Sequence, residues 1–184
     1  TADALIVHDA VVAELIPQLM ALRKPLTLVD TRIDGLTSVQ IDDRFGAAQA
    51  MDYALSKKPD RVLVLCMPLD DEVRAMTRYT RESTNRSHVS TERVSGYLDS
   101  LNRHGFDRKG VTWMEIDEKT PELAGDVALP LMAPLLKDKR VAVVAMTDRM
   151  AISVLRTLEK QAGPRPAAVV GFDDIPEAAH WGLT

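Results

Sequence analysis

Apolar residues along this chain fall into two alternating kinds of run. Short β-branched stretches at 5–8, 26–30, 38–41, 61–66, 111–116, 140–146 and 168–172 are mostly apolar without interruption. Strands covered on both faces, as in a parallel sheet, read this way. The longer segments between them place apolar or small residues at helical spacing: Ala48, Met51 and Leu55; Ser90, Val94, Tyr97 and Leu101; Ala151, Leu155, Leu158 and Ala162. That spacing puts each set on one stripe of a helix. Strand and helix in alternation predict a doubly wound α/β fold.

Two helical patterns contain prolines. Pro17, inside the pattern 12–22, predicts a kink or restart, and Pro130 and Pro134 predict a broken helix. Residues 67–88 are polar and rich in Arg, Thr and Ser, and read as a long loop with a short helix.

Composition narrows the function. At 184 residues the chain has room for one domain, or one and a piece. The formal charge of −4 gives no electrostatic footprint for nucleic acid, and 4% aromatics leave few stacking platforms. The single cysteine, Cys66, ends an apolar strand; a buried, inert thiol in a reducing, cytoplasmic setting is the expectation. No apolar run approaches the roughly 18 residues a membrane span needs.

Motifs of the common catalytic and cofactor sites are missing. No GxGxxG, GxxxxGK[ST] or GxSxG occurs, and His8, His88, His104 and His180 are far apart in sequence. No enzyme activity, cofactor or metal is expected.

Ligands of open α/β sheets bind beyond the carboxyl ends of the strands. Those ends are rich in carboxylates here: Asp30, Asp42 with Asp43, Asp148 after Thr147, and Asp173 with Asp174. An Asp there can accept hydrogen bonds from a polar ligand or can cap the next helix. Capping is the favoured reading for Asp43 and Asp148; for Asp30 and Asp173 both readings stay open.

Five segments then match one family in order and spacing: Val169-Val170-Gly171-Phe172-Asp173-Asp174-Ile175-Pro176, Met146-Thr147-Asp148-Arg149-Met150-Ala151, Arg93-Val94-Ser95-Gly96-Tyr97, Val39-Gln40-Ile41-Asp42-Asp43, and the strand from Pro25 to Asp30. In this the chain resembles the effector-binding core of LacI/GalR-type (lactose-repressor-like) transcription regulators. The resemblance implies a periplasmic-binding-protein-like (type I) fold, two lobes of doubly wound parallel sheet, with a small molecule in the cleft. Residues 1–37 would be a remnant of the first lobe and 38–184 the second, so the chain is expected to be incomplete at both ends.

By position, the resemblance implies a ligand site of Asp30, Arg93, Thr147 and Asp173. Arg93 would donate to ligand oxygens, Asp173 would accept from hydroxyls, and Thr147 stands where the family has an asparagine. The implied effector is a sugar, sugar phosphate or nucleoside-like molecule. The implied partners are a second copy, with Ile152 and Trp181 as candidate contacts, and operator DNA bound through a headpiece not in this chain. Arg74, Arg78, Arg81 and Arg86 form a basic run that could attract an anion or be a solvated face. Two rival readings remain: a solute-binding protein of a sugar importer, which shares the fold, and a doubly wound enzyme using Asp173 or Asp174 as a base or metal ligand.

Overall fold

A computed structural model describes residues 2–8, 12–30, 32–68, 75–76, 88–117 and 119–183. The chain begins with β1 (Leu5–His8), α1 (Val12–Ala21), β2 (Leu26–Val29) and β3 (Thr37–Val39). These three strands form a parallel sheet in the order β1-β2-β3, with Leu28 opposite Val7 and Ser38. Ile16 of α1 and Leu28 make its small core, with Val7, Leu19, Leu26, Ile33 and Leu36 against them.

The rest of the chain builds a larger unit. In order it contains α2 (Asp43–Ser56), β4 (Arg61–Cys66), β5 (Ala75–Met76), α3 (His88–Arg103), β6 (Val111–Glu115), α4 (Ala124–Met132), β7 (Val141–Ala145), α5 (Asp148–Glu159), β8 (Ala168–Val170) and α6 (Pro176–His180). The sheet runs β5-β6-β4-β7-β8, parallel except for β5, which pairs antiparallel with β6. Val64 at its centre is level with Trp113 on one side and Val144 on the other.

Alternation along β4 separates two helical layers. Val62, Val64 and Cys66 face Met51 of α2 and Val94, Tyr97 and Leu101 of α3. Leu63 and Leu65 face Ala128 and Met132 of α4 and Ala151, Val154 and Leu158 of α5. A strand buried on both faces must be apolar throughout, which is why these strands are legible as unbroken runs. Each fully buried Leu, Met or Val contributes on the order of 1.5–3 kcal/mol by leaving water.

The doubly wound α/β expectation therefore holds, and the differences are local. Helix α1 continues through Pro17 without restarting, although the proline cannot donate to the Ala13 carbonyl. Pro130 is likewise inside α4; the helix ends at Met132, before Pro134, and the chain tightens into a 3-10 turn at Leu135–Lys137. Within 67–88, read as a loop with a short helix, residues 75–76 are a strand and His88 opens α3; residues 69–74 and 77–87, with Arg74, Arg78, Arg81 and Arg86, lie outside the described residues.

Gly96 shows why the Arg-x-x-Gly pattern sits on α3. A Cβ there would collide with the Arg44 carbonyl oxygen and press on the Ala48 amide of α2, so only glycine permits this helix contact. Among the described residues no helix is long and apolar enough to cross a membrane.

Candidate functional site

The carboxyl ends of β7 and β8, the start of α2 and the middle of α3 converge on one guanidinium. Arg93 extends from α3 with its side chain 7% exposed. Its Nε donates to Asp43 Oδ1 at 2.8 Å, its Nη1 donates to the Met146 carbonyl, and Nη1 lies 3.6 Å from Asp173 Oδ1. The guanidinium carbon is 3.6 Å from the centre of the Phe172 ring, a cation–π contact. Nη2 has no acceptor among the described residues, and it is the donor left for a ligand. A cation this deep needs paired carboxylates, and Asp43 and Asp173 supply them.

Asp173 follows Phe172 at the end of β8. Its Oδ2 accepts the Asp148 amide at 3.2 Å, and its side chain remains 33% exposed. Burial pushes its carboxyl above the usual carboxylate range, against the opposing pull of the Asp148 amide and Arg93.

Two capping expectations are corrected. Helix α2 is capped by Asp42, whose Oδ1 accepts the Phe45 amide at 3.0 Å; Asp43 is the first helical residue and turns inward to Arg93. Helix α5 is capped by Thr147, whose hydroxyl oxygen accepts the Met150 amide at 3.3 Å. Asp148, only 2% exposed, instead binds the β8 loop, accepting the amides of Phe172 at 2.8 Å and Ile175 at 2.9 Å. Gly171 passes so close to the Asp148 carboxylate that a Cβ would overlap it.

The four residues singled out by resemblance are therefore not all joined. Arg93 and Asp173 are in contact, and Thr147 directly follows the Met146 carbonyl that Arg93 binds. Asp30 closes β2 with φ 56°, accepts from or donates to nothing in this cluster, and lies 3.2 Å from the ring of His8. No hydrogen bond or ion pair among the described residues links Asp30 to Arg93.

Several residues of the site escape a sequence reading. Asp43 had a signal: of two adjacent aspartates only one can cap, so the other is free to serve a buried cation. Phe172 has no such signal, because its ring contact depends on α3. Tyr97, one turn beyond Arg93, is fully buried with no partner for its hydroxyl among the described residues; burial pushes the phenol pKa up. Burial does the same to the Cys66 thiol, which is the inert state expected of it. Beside the cluster, a polar pocket of about 340 Å³ opens where the chain passes from β3 to α2, lined among others by Arg32, Gln40, Asp42 and Glu92.

Known proteins give this geometry a context. No family model matches the chain. An HTH-type transcriptional regulator of Mycolicibacterium smegmatis is 27% identical over 179 residues, 92% of this chain and 48% of its own length. A second, from Mycobacterium tuberculosis, is 28% identical over 167 residues, 88% of this chain and 46% of its length. The chain thus spans about half the length of the curated relatives it matches. A LacI-family regulator from Corynebacterium glutamicum superposes with TM-score 0.79 at 23% identity, covering 97% of this chain and 54% of that one. One from Enterococcus faecium with bound ribose gives 0.74 at 16% identity, covering 97% and 61%. The Cra dual regulator of Pseudomonas putida, in complex with fructose 1-phosphate, gives 0.74 at 19%, covering 99% and 62%. These relatives are regulators rather than enzymes. The chain has the periplasmic-binding-protein-like fold of LacI-family transcriptional regulators and is similar in sequence, over most of its length, to HTH-type transcriptional regulators.

Proposed function

We propose that this chain is the effector-binding and dimerisation core of a LacI-type, DNA-binding transcription regulator of the cytoplasm. The first lobe ends with β3, two residues beyond the expected boundary at 37, because Ser38 and Val39 pair with β2; the rest of the chain belongs to a second lobe, with a small polar effector between them. The observation that carries the reading is the pairing of Arg93 with Asp173 at the carboxyl ends of β7 and β8. In this reading Nη2 of Arg93 donates to ligand oxygens and the exposed part of Asp173 accepts from hydroxyls. The Thr147 hydroxyl, whose oxygen serves the α5 cap, keeps its own hydrogen to donate. Asp30 enters from the first lobe as the lobes close.

An effector that prefers one lobe arrangement shifts the population toward it and so changes the operator affinity of the attached DNA-binding heads. Ribose and fructose 1-phosphate in the two relatives support a sugar, sugar phosphate or nucleoside-like effector. A second copy docks on the α5–α6 face. A pocket of about 520 Å³ there mixes Arg149 and Arg156 with Glu122 and Glu177, which suits a self-complementary contact. Ile152 and Trp181 are its candidate apolar contacts.

The test uses the full-length protein. A thermal-shift screen of sugars, sugar phosphates and nucleosides identifies stabilising ligands, and fluorescence anisotropy reports operator affinity with and without the best of them. A ligand that stabilises the protein but leaves operator affinity unchanged contradicts the reading.

A further inference from the structure

We infer that the Arg93 site selects an uncharged, hydroxyl-bearing ligand and rejects phosphate groups, and that Asp43 is the residue that sets this preference. The inference rests on the effector-site reading above and narrows its ligand class.

A buried arginine attracts an anion when its charge is uncompensated, and here it is compensated twice. Arg93 Nε bonds Asp43 Oδ1 at 2.8 Å, with both side chains 7% exposed, so solvent screens the pair little. Asp173 Oδ1 lies 3.6 Å from Nη1 on the other side. Counted at formal charges, one guanidinium and two carboxylates give the Arg93–Asp43–Asp173 cluster −1. Asp148 stands behind it with a further carboxylate, held by the Phe172 and Ile175 amides rather than by a cation. Among the described residues no second cation pairs with Asp43, Asp148 or Asp173.

A phosphate approaching Nη2 therefore meets a negative cluster in a poorly hydrated setting, where repulsion is strong. A hydroxyl meets no such barrier. Its oxygen accepts from Nη2, its hydrogen goes to Asp173, and neighbouring hydroxyls of a polyol satisfy both groups at once.

Asp43 is not needed to start α2, because Asp42 already caps that helix. Its carboxylate is committed to neutralising Arg93. Replacing it by the isosteric amide removes one negative charge from the cluster and leaves the cap intact, but it also takes from buried Arg93 its nearest counter-charge, so the fold of Asp43→Asn is verified by circular dichroism before its binding is read.

The experiment is isothermal titration of the full-length protein with D-ribose, fructose 1-phosphate and inorganic phosphate. Asp43→Asn is expected to bind inorganic phosphate and fructose 1-phosphate at least about tenfold more tightly than the unaltered protein, while any ribose affinity changes by much less. Adding Arg93→Lys to Asp43→Asn is expected to remove the gain, since a lysine cannot present the same planar fork. Unchanged anion affinity in Asp43→Asn, or tight phosphate binding by the unaltered protein, overturns the proposal. If Asp43→Asn does not fold, Asp173→Asn, whose carboxyl is partly exposed, must show the same gain, and its absence there is equally fatal. A gain of anion binding in Asp43→Asn, in a protein that no sugar, sugar phosphate or nucleoside stabilises when unaltered, upholds the charge role of Asp43 and removes the effector reading instead.

Discussion

Asp148 and Asp173 clasp the ends of β7 and β8 to each other. The Asp173 carboxylate accepts the Asp148 amide at 3.2 Å, while the Asp148 carboxylate accepts the amides of Phe172 and Ile175, on either side of Asp173. The same Asp173 contacts Arg93, so the loop that presents the site is fixed by one buried carboxylate and touches the anchor with another.

Removing the buried member of this clasp leaves two loop amides without acceptors. Each bond to a charged group contributes about 1.5–3 kcal/mol, so Asp148→Ala is expected to cost about 3 kcal/mol or more in urea-induced unfolding. A loss below about 1 kcal/mol means the loop is held by something other than Asp148.

Asp173 should behave in the opposite way. Its folded-state carboxyl is raised by burial, so ionising it works against folding. As pH falls from neutral through the raised folded value toward the ordinary carboxylate range, the cost disappears. Asp173→Asn is therefore expected to unfold at a temperature equal to or above that of the unaltered protein at neutral pH, with any advantage gone under acidic conditions. Substantial destabilisation at pH 7 and none in acid contradicts this sign.

Asp52 on α2 shows the reverse linkage. Burial alone would raise its carboxyl, but hydrogen bonds from Arg103 at 2.7 Å, Ser100 at 2.5 Å and His104 at 3.0 Å outweigh it and hold the value below the ordinary one. Its contribution is present above the unfolded value of roughly 3.9 and is lost as pH falls through the lower folded value. Asp52→Asn should lower the midpoint of thermal unfolding at pH 7 and match the unaltered protein at strongly acidic pH. A difference that persists unchanged in acid assigns the effect to packing.

Gly96→Ala forces a methyl against the backbone of α2, which has no flexible side chain to give way. Overpacking of this kind costs typically about 1–3 kcal/mol. Circular dichroism on thermal denaturation is expected to show a lowered midpoint, and an unchanged one means that α2 and α3 separate at no cost.

How much of this was legible in sequence depended on the range of each contact. The strands were readable because a sheet covered on both faces must be apolar, and Val62–Cys66 alternates between layers without a polar residue. Helix stripes were readable for the same local reason. Pro17 starts no new helix, because a lost backbone bond is tolerated when the helix is held by its packing, whereas the break expected around Pro130 and Pro134 falls after Met132, just before Pro134. Arg93 and Asp173 came out through the resemblance and are found in contact. Thr147 serves as a cap beside them, and Asp30 pairs with His8. The inward turn of Asp43 and the loop-holding role of Asp148 join residues 50 and 24–27 positions apart, and no local rule encodes such a partner.

The effector-site reading meets its most direct measurement in the affinity of the best stabilising ligand for site variants of the full-length protein. Isothermal titration should show Arg93→Lys and Asp173→Ala each weakening that ligand by roughly ten- to a hundredfold, the range expected for losing a hydrogen bond to a charged group. Affinity unchanged in both variants, with their folds intact, contradicts the assignment of the site to Arg93 and Asp173.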